Sequence, residues 1–224
     1  MKDISEAIHA MEAAALSELG DAAGTLLGVG EGRNPIHALD LLAAAALNRA
    51  VSLLRAFCML LRERNYETAA AVVRLQLDTA LRLYAGTLVE DADAFAERVI
   101  QGERVSDIKG RDGKRLSDRR LVCNLSEELG LPWVTNLYDG TCGWVHFSRA
   151  HILATVKDLG EEGAFELRVG GTSTHVPQKR QLEAIDACRR STGLVVHVVR
   201  SWISQRDAAS SDMVSTFGDS VRVN

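Results

Sequence analysis

The sequence predicts a mainly α-helical protein: a helical bundle built on one long antiparallel helix hairpin, with one small β-hairpin before the C-terminal helix. Over most of the chain, apolar residues recur every three to four positions, a spacing typical of amphipathic helices. Between about residues 152 and 170 the apolar spacing shortens to two, as in half-buried strands. Residues 1–208 are therefore expected to form a single helical domain, and residues 209–224 a flexible tail.

The first helices are predicted from their start and end signals. An amphipathic helix is expected over 3–20, followed by a Gly-rich flexible linker over 28–35. An Asn-Pro pair closes this linker and is a helix start, which predicts a long helix over about 35–64. Asn65 can cap a second long helix over about 66–90, so the two helices are expected to form an antiparallel hairpin with a very short turn.

The later helices are also predicted from local signals. Helices are expected over about 91–104 and 117–130, and Gly130 is a suitable C-cap for the second of them. A further helix is expected to begin near Pro132 and to carry the tract YDGTCGWVHFSRAH. A last long helix is predicted over about 178–204.

Composition and charge exclude several classes of protein. The net charge of −4 provides no global basic field for nucleic acid, so any such contact must be local. The four cysteines form no CxxC pair, which argues against a disulfide framework and a zinc site, and no metal or other cofactor is expected. The N-terminus lacks a continuous apolar core, and no apolar run is expected to reach the ~18 residues of a membrane span. The chain is therefore expected to be cytoplasmic and free of membrane.

The densest chemistry lies in the tract over 138–151, which contains Tyr138, His146, Ser148 and His151. His146 stands between two apolar residues, so it is either a satisfied core histidine or a candidate catalytic acid–base residue. His151 is expected at the end of a helix, where a cation meets the negative end of the helix dipole. The two histidines lack the spacing of an HExxH zinc motif, and no nucleophile elbow surrounds Ser148, so zinc and serine-nucleophile chemistry are excluded.

A row of charges lies on the second helix of the predicted hairpin. Arg74, Asp78 and Arg82 follow one another at intervals of four, which places them on one face. Leucines surround this face, so the helix is expected to be central and the row must be internally paired or must line a cleft. The candidate ligand-binding residues are therefore Arg74, Asp78, Arg82, Tyr138, Ser148 and His151.

A basic loop, KGRDGKRLSDRR, is a candidate contact for RNA. Its six basic residues against two acidic ones are suited to a phosphate backbone, but no aromatic residue is present for base stacking. The other interpretation is an ordinary solvated loop. The candidate nucleic-acid-binding residues are Lys109, Arg111, Lys114, Arg115, Arg119 and Arg120.

The last predicted helix carries Arg190 and, after six intervening residues, His197. This pair resembles the Rx4–6H motif of HEPN-domain ribonucleases, which are helical, dimeric and often part of bacterial toxin or phage-defence systems. A wider resemblance covers about residues 120–204, where the sequence Tyr-x5-Trp-Val-His-Phe-Ser-x2-His precedes the predicted hairpin and a long helix that ends in a Trp. This order of elements resembles uncharacterised, mainly helical bacterial proteins that are sometimes grouped with HEPN-like domains. The resemblance implies Arg190 and His197 as candidate catalytic residues. The four valines that flank His197 also fit a histidine in the protein core.

Three functions stay open at this point, and they leave open whether the protein is an enzyme. The first is a non-enzymatic, cytosolic interaction or regulatory protein. The second is a HEPN-like ribonuclease or a bacterial defence or toxin component. The third is a small-molecule enzyme or sensor, which requires a pocket joining His146 to Arg74 or Arg82. The long apolar helices over about 35–64 and 178–204 are expected to expose enough surface for a homodimer.

Overall fold

The computed structural model describes residues 3–28, 36–158, 164–170 and 176–221. Over these residues the protein is mainly helical, as the sequence predicts. The helices are α1 (Ile4–Leu26), α2 (Ala38–Arg62), α3 (Tyr66–Tyr84), α4 (Ala92–Ile100), α5 (Asp118–Cys123), α6 (Trp133–Val145), α7 (Arg149–Thr155) and α8 (Gln178–Val221). Two short strands, β1 (Val156–Asp158) and β2 (Phe165–Leu167), lie between α7 and α8.

Side-chain caps set the start of two helices that the sequence predicts. The Asn65 side chain accepts a hydrogen bond from the Thr68 N–H at 3.2 Å, and this fixes the first turn of α3. The Asp91 carboxylate accepts from the Ala94 N–H at 2.9 Å and begins α4 in the same way. Both caps act within three residues, which is why the sequence locates them.

The packing of α3 defines the centre of the bundle. This helix contacts α2, α6 and α8, while α1 packs against α2 and α8. Gln76 of α3 is completely buried, and its amide donates to the Ala50 carbonyl at 3.3 Å and to the Thr192 hydroxyl at 2.9 Å. These two bonds tie α2, α3 and α8 together inside the core, where a buried amide requires such partners.

A buried carboxylate, that of Asp40, joins the first turn of α2 to α8. The His37 N–H donates to Asp40 at 2.9 Å in this first turn. The predicted start of the helix at residues 34–35 lies outside the described residues. Asp40 also accepts from the Trp202 indole at 2.9 Å and from the Arg206 guanidinium at 3.0 Å. The Asp40 and Arg206 side chains are each only 9% exposed, so this ion pair locks α8 onto α2 within the protein interior.

Several predicted helix ends are wrong. The predicted helix over 66–90 stops at Tyr84 and continues as a 3₁₀ turn over Ala85–Leu88, and α5 continues as a π turn over Asn124–Glu128. The last helix passes the predicted end at residue 204 and reaches Val221, because no proline interrupts this part of the chain.

The largest correction concerns the tract over 138–151, which is not part of one helix. After α6 ends at Val145, Ser148 begins a new helix by accepting a hydrogen bond from the Ala150 N–H at 3.2 Å. Residues 152–155 were expected in a strand and are helical instead, because the Ser148 cap starts α7 at Arg149. Strand pairing begins only at Val156. β1 and β2 pair antiparallel, with Val156 opposite Leu167.

α2 is also long and apolar enough to cross a membrane, judged by length and composition alone. Its best 18-residue window has a mean hydropathy of 1.4. The expectation that no apolar run in the sequence is long enough to span a membrane is therefore wrong. Within the bundle 39% of that window is buried, and α2 packs against α1, α3, α4 and α8. These contacts are typical of a core helix.

Candidate functional site

Arg74 and Asp78 form the buried part of the predicted charge row. Arg74 is 6% exposed, and its Nε donates to Asp78 Oδ1 at 2.9 Å. A second guanidinium nitrogen donates to the Tyr138 carbonyl at 3.3 Å, and the guanidinium carbon lies 3.5 Å from the centre of the Tyr138 ring. Burial lowers the pKa of Arg74, but the hydrogen bond and charge of Asp78 outweigh burial, and the pKa is raised. The guanidinium is therefore a charged tie between α3 and α6.

Arg82, the third residue of the row, pairs with a residue of another helix. Its guanidinium forms an ion pair with Asp118, in the first turn of α5, rather than with Asp78. Asp78 and Arg82 line a shallow cleft of about 390 Å³ between α2 and α3, together with Arg49, whose Nε donates to the Thr79 hydroxyl at 3.1 Å. Arg74 and Asp78 therefore pair with each other, whereas Arg82, on the same helix face, pairs with Asp118.

Ser148 and His151 together form the start of α7. The Ser148 hydroxyl donates to the Gly143 carbonyl at 2.7 Å, and the Ser148 N–H donates to His151 Nδ1 at 3.4 Å. A Cβ added at Gly143 would lie 3.0 Å from the Ser148 oxygen, so the absence of a side chain there permits this approach. The expectation that His151 ends a helix is wrong. Helix α6 ends before Ser148, so His151 lies in the first turn of α7.

The histidine rings of the tract have different surroundings from those expected. His151 stacks on Phe147 with ring centres 5.7 Å apart and meets the Trp144 ring edge-on at 5.5 Å. His146 is exposed and has an extended backbone at the break between α6 and α7, so its expected place in an apolar core is wrong. Since Arg74 is buried beneath Tyr138, it does not share an open cleft wall with His146.

The basic loop is held in place by its own arginines. Arg111 donates to the carbonyl of Thr87 and, at 3.3 Å, to that of Val89. Arg120 donates to the Lys114 carbonyl at 2.6 Å and pairs with Asp112 at 2.8 Å. Weaker ion pairs join Arg115 to Asp107 at 3.6 Å and Arg119 to Asp139 at 3.3 Å, while Lys109 and Lys114 are exposed. These arginines already hold the loop in its conformation through contacts within the protein. An RNA contact at this loop stays a prediction.

Arg190 and His197 line one cleft. Both are exposed on α8, and the cleft of about 660 Å³ also includes Trp133 at the start of α6. Arg190 lies 6.0 Å from the Trp133 ring and pairs with Asp186 at 2.6 Å. His197 is not in the core, because its flanking valines occupy the buried side of α8 while the imidazole lies on the opposite side.

Two further polar residues, Ser201 and Gln205, line the same cleft. Sequence reasoning missed them, although they follow His197 at steps of four and hence lie on its helix face. Apolar side chains from the turns after α3 and α5 form the remaining wall, so the cleft is an apolar groove with a polar edge along α8.

A second feature that sequence reasoning missed is an exposed apolar arm, defined as residues 145–169 without 159–163. None of its side chains with a defined exposure is buried, and eight large apolar side chains are between 36% and 98% exposed. They are Val145, Phe147, Ile152, Leu153, Val156, Phe165, Leu167 and Val169. The alternating pattern that predicts half-buried strands is present, but no part of the described bundle covers these side chains.

Comparisons with protein-family models, with curated proteins and with solved structures return no match for this chain. Within the described ranges, no group of three or more His, Cys, Asp or Glu side chains is arranged to hold a metal ion.

Proposed function

We propose that the protein is a non-enzymatic interaction protein that binds another polypeptide through the arm. The observation that carries this proposal is the exposure of eight large apolar side chains in one segment, in which no side chain of defined exposure is buried. Contiguous apolar surface of this kind is uncommon on soluble proteins and marks sites of association. A two-stranded sheet is also marginally stable alone in water, which favours a form in which a partner covers it.

The polar residues of the tract support the same proposal. Tyr138 covers Arg74, and Ser148 and His151 start α7, so each has a structural role. The small-molecule function, which needs an open pocket joining His146 to Arg74 or Arg82, lacks a supporting observation. We further propose that the bundle is organised on the α2–α3 hairpin with the β1–β2 hairpin as its projection, and that the protein works in the bacterial cytoplasm without cofactor or membrane.

Site-specific photo-crosslinking in the native host tests the proposal. A photoreactive phenylalanine analogue replaces Phe165 of the arm, and the matched control replaces Met59, an apolar residue of α2 with a similar exposed fraction of 58% against 61%. We expect defined polypeptide adducts at Phe165 and none at Met59. Equal or absent crosslinking at the two positions would overturn the proposed function.

A HEPN-like ribonuclease is the second candidate function, favoured by the shared cleft of Arg190 and His197. In such a reaction the His197 imidazole accepts the proton of a ribose 2′-hydroxyl, whose oxygen attacks the adjacent phosphorus while the 5′-oxygen leaves. The Arg190 guanidinium releases Asp186 and binds the phosphate, where it offsets the negative charge. Together with Ser201, these side chains offer a base, a cation and a hydroxyl along one helix face.

Cleavage of a labelled single-stranded RNA tests this second candidate. The variants are His197→Ala and Arg190→Ala, and the matched control is Arg189→Ala, which removes a neighbouring arginine that also pairs with Asp186. A ribonuclease is expected to lose at least about a hundredfold in rate in the first two variants and little in the control. Activity that is absent from the wild type, or equal in all variants, excludes the function.

A further inference from the structure

The outer edge of β2 is built for pairing with another strand. In the two-stranded sheet β2 has β1 on one side, and the Arg168 N–H donates on the same side to the carbonyl of Thr155, the residue before β1, at 2.8 Å. Backbone groups alternate along an antiparallel ladder, so the amide groups of Phe165, Leu167 and Val169 face the other side. Within the described part of the chain no other strand pairs with this side, and an unpaired edge of this type is a template for β-pairing with a second chain.

The side chains at this edge form one apolar face. Phe165, Leu167 and Val169 alternate along β2 and its extension, and Val156 lies directly opposite Leu167 on the same face. The four residues of this face together expose on the order of 500 Å², against the ~800 Å² that each partner buries in a standard protein–protein interface. The face therefore offers more than half of the area that a standard dimer interface buries.

The charges of β2 match a second copy of the same strand. Within one chain the Arg168 guanidinium contacts the Glu166 carboxylate at 3.1 and 3.2 Å. If two β2 strands pair antiparallel about an axis at Leu167, each Glu166 lies opposite the partner's Arg168. Phe165 then lies opposite the partner's Val169, so the pairing is apolar on one face and oppositely charged on the other.

We propose that the partner bound by the arm is a second copy of this chain, joined through the edges of two β2 strands into a four-stranded sheet with its two-fold axis at Leu167. This inference rests on the proposed function of the arm and names its partner. It differs from the dimer through long helices that the sequence suggests. Val195 and Val199 of α8 are buried in the bundle and are not exposed for such a contact.

Light scattering and sedimentation of the purified protein measure this self-association. We expect a dimer at micromolar concentration, and we expect Glu166→Arg and Arg168→Glu each to weaken it about tenfold, because like charges then face each other at two symmetric positions. An equimolar mixture of these two variants restores opposite charges at both positions and is expected to recover the wild-type affinity. Glu97→Arg, which makes the same change of net charge as Glu166→Arg on the exposed surface of α4, is the matched control and leaves the dimer intact.

The mixture separates a contact between chains from one within a chain, since both variants lack the Glu166–Arg168 pair. Because Glu166 is exposed, the helical circular dichroism of every variant should equal that of the wild type. A dimer that the two charge variants leave unchanged overturns the inference. A monomer whose Phe165 crosslinks to a different polypeptide overturns the inference but keeps the proposed function, and a monomer without such crosslinks removes both.

Discussion

The guanidinium carbon of Arg74 lies over the Tyr138 ring, 3.5 Å from its centre, and the same guanidinium pairs with Asp78. Stacking and ion pairing together satisfy a charge that the fold has almost removed from water. The contact joins the central helix α3 to α6, the helix on which the arm is mounted. Arg74 is therefore expected to matter for stability and for holding the base of the arm.

Arg74→Ala should lower the free energy of unfolding by about 2 kcal/mol, because Asp78 loses its cation but is exposed enough to regain water. Urea denaturation followed by circular dichroism measures the change. Tyr138→Phe is the matched control, since it keeps the ring in contact with the guanidinium, and we expect a change below about 0.5 kcal/mol. A loss as large in the control as in Arg74→Ala would contradict the role of the ring.

Ser148→Ala should destabilise α7 by about 1 kcal/mol, because the hydroxyl that accepts the Ala150 N–H bond is lost. Hydrogen exchange resolved by residue should show faster exchange in α7 and unchanged protection in α2 and α3. Ser148→Thr is the control that keeps a hydroxyl both to cap α7 and to donate to the Gly143 carbonyl, and it should retain slow exchange. Equal exchange in α7 for Ser148→Ala and the wild type would show that the cap is not what begins this helix.

Asp40→Ala should cost about 3 kcal/mol, because it removes the carboxylate that holds Trp202 and Arg206 in the interior. Asp40→Asn retains an oxygen for the indole and is expected to cost less. Thermal unfolding measures both variants, and Trp202 fluorescence reports whether the end of α8 leaves α2. Unfolding midpoints equal to that of the wild type would contradict a stabilising role for this buried pair.

Alkaline pH should destabilise the fold through its buried thiols. Burial raises the pKa of Cys58 to about 11, with the nearby Glu12 charge a smaller cause, and burial likewise raises the pKa of Cys188. In the unfolded chain a thiol ionises near pH ~8.5, so the unfolded state releases its proton first and stability falls as the pH rises from about 9 to about 11. Urea midpoints at neutral pH and near pH 10 measure this loss.

Cys58→Ala provides the control for the alkaline effect. Its own loss of packing is present at every pH, but its urea midpoint should fall less steeply between neutral pH and pH ~10 than that of the wild type. A thiol reagent offers a second measurement. The exposed Cys142 should react in the native protein, whereas Cys58 and Cys188 should react only after unfolding.

The sequence anticipated features that depend on neighbours along the chain. Asn65 caps α3 through an N–H group three residues away, and Gly130 takes the positive φ of 64° expected of a C-cap residue. The hydrogen bond between Arg74 and Asp78 joins residues four apart on one helix face. Such interactions act over one turn and need no knowledge of how the helices pack.

The sequence did not anticipate partners that packing brings from a distance. Arg82 pairs with Asp118 and Arg74 stacks on Tyr138, contacts that join residues far apart in the chain. The environment of a side chain was equally hard to infer, since His197 among valines lies outside the core and His146 beside apolar residues is exposed. Each outcome depends on which side of a helix the rest of the bundle covers.

The sequence by itself determined the helical class, several helix starts and the apolar pattern of the arm, because local hydrogen bonding and side-chain periodicity operate over a few residues. Only the tertiary structure decided that the arm is uncovered and that Arg190 and His197 share a cleft. Burial is a property of the assembled bundle, in which elements far apart in sequence either meet or leave a surface open. The same alternating residues would have been core if another helix had packed on them.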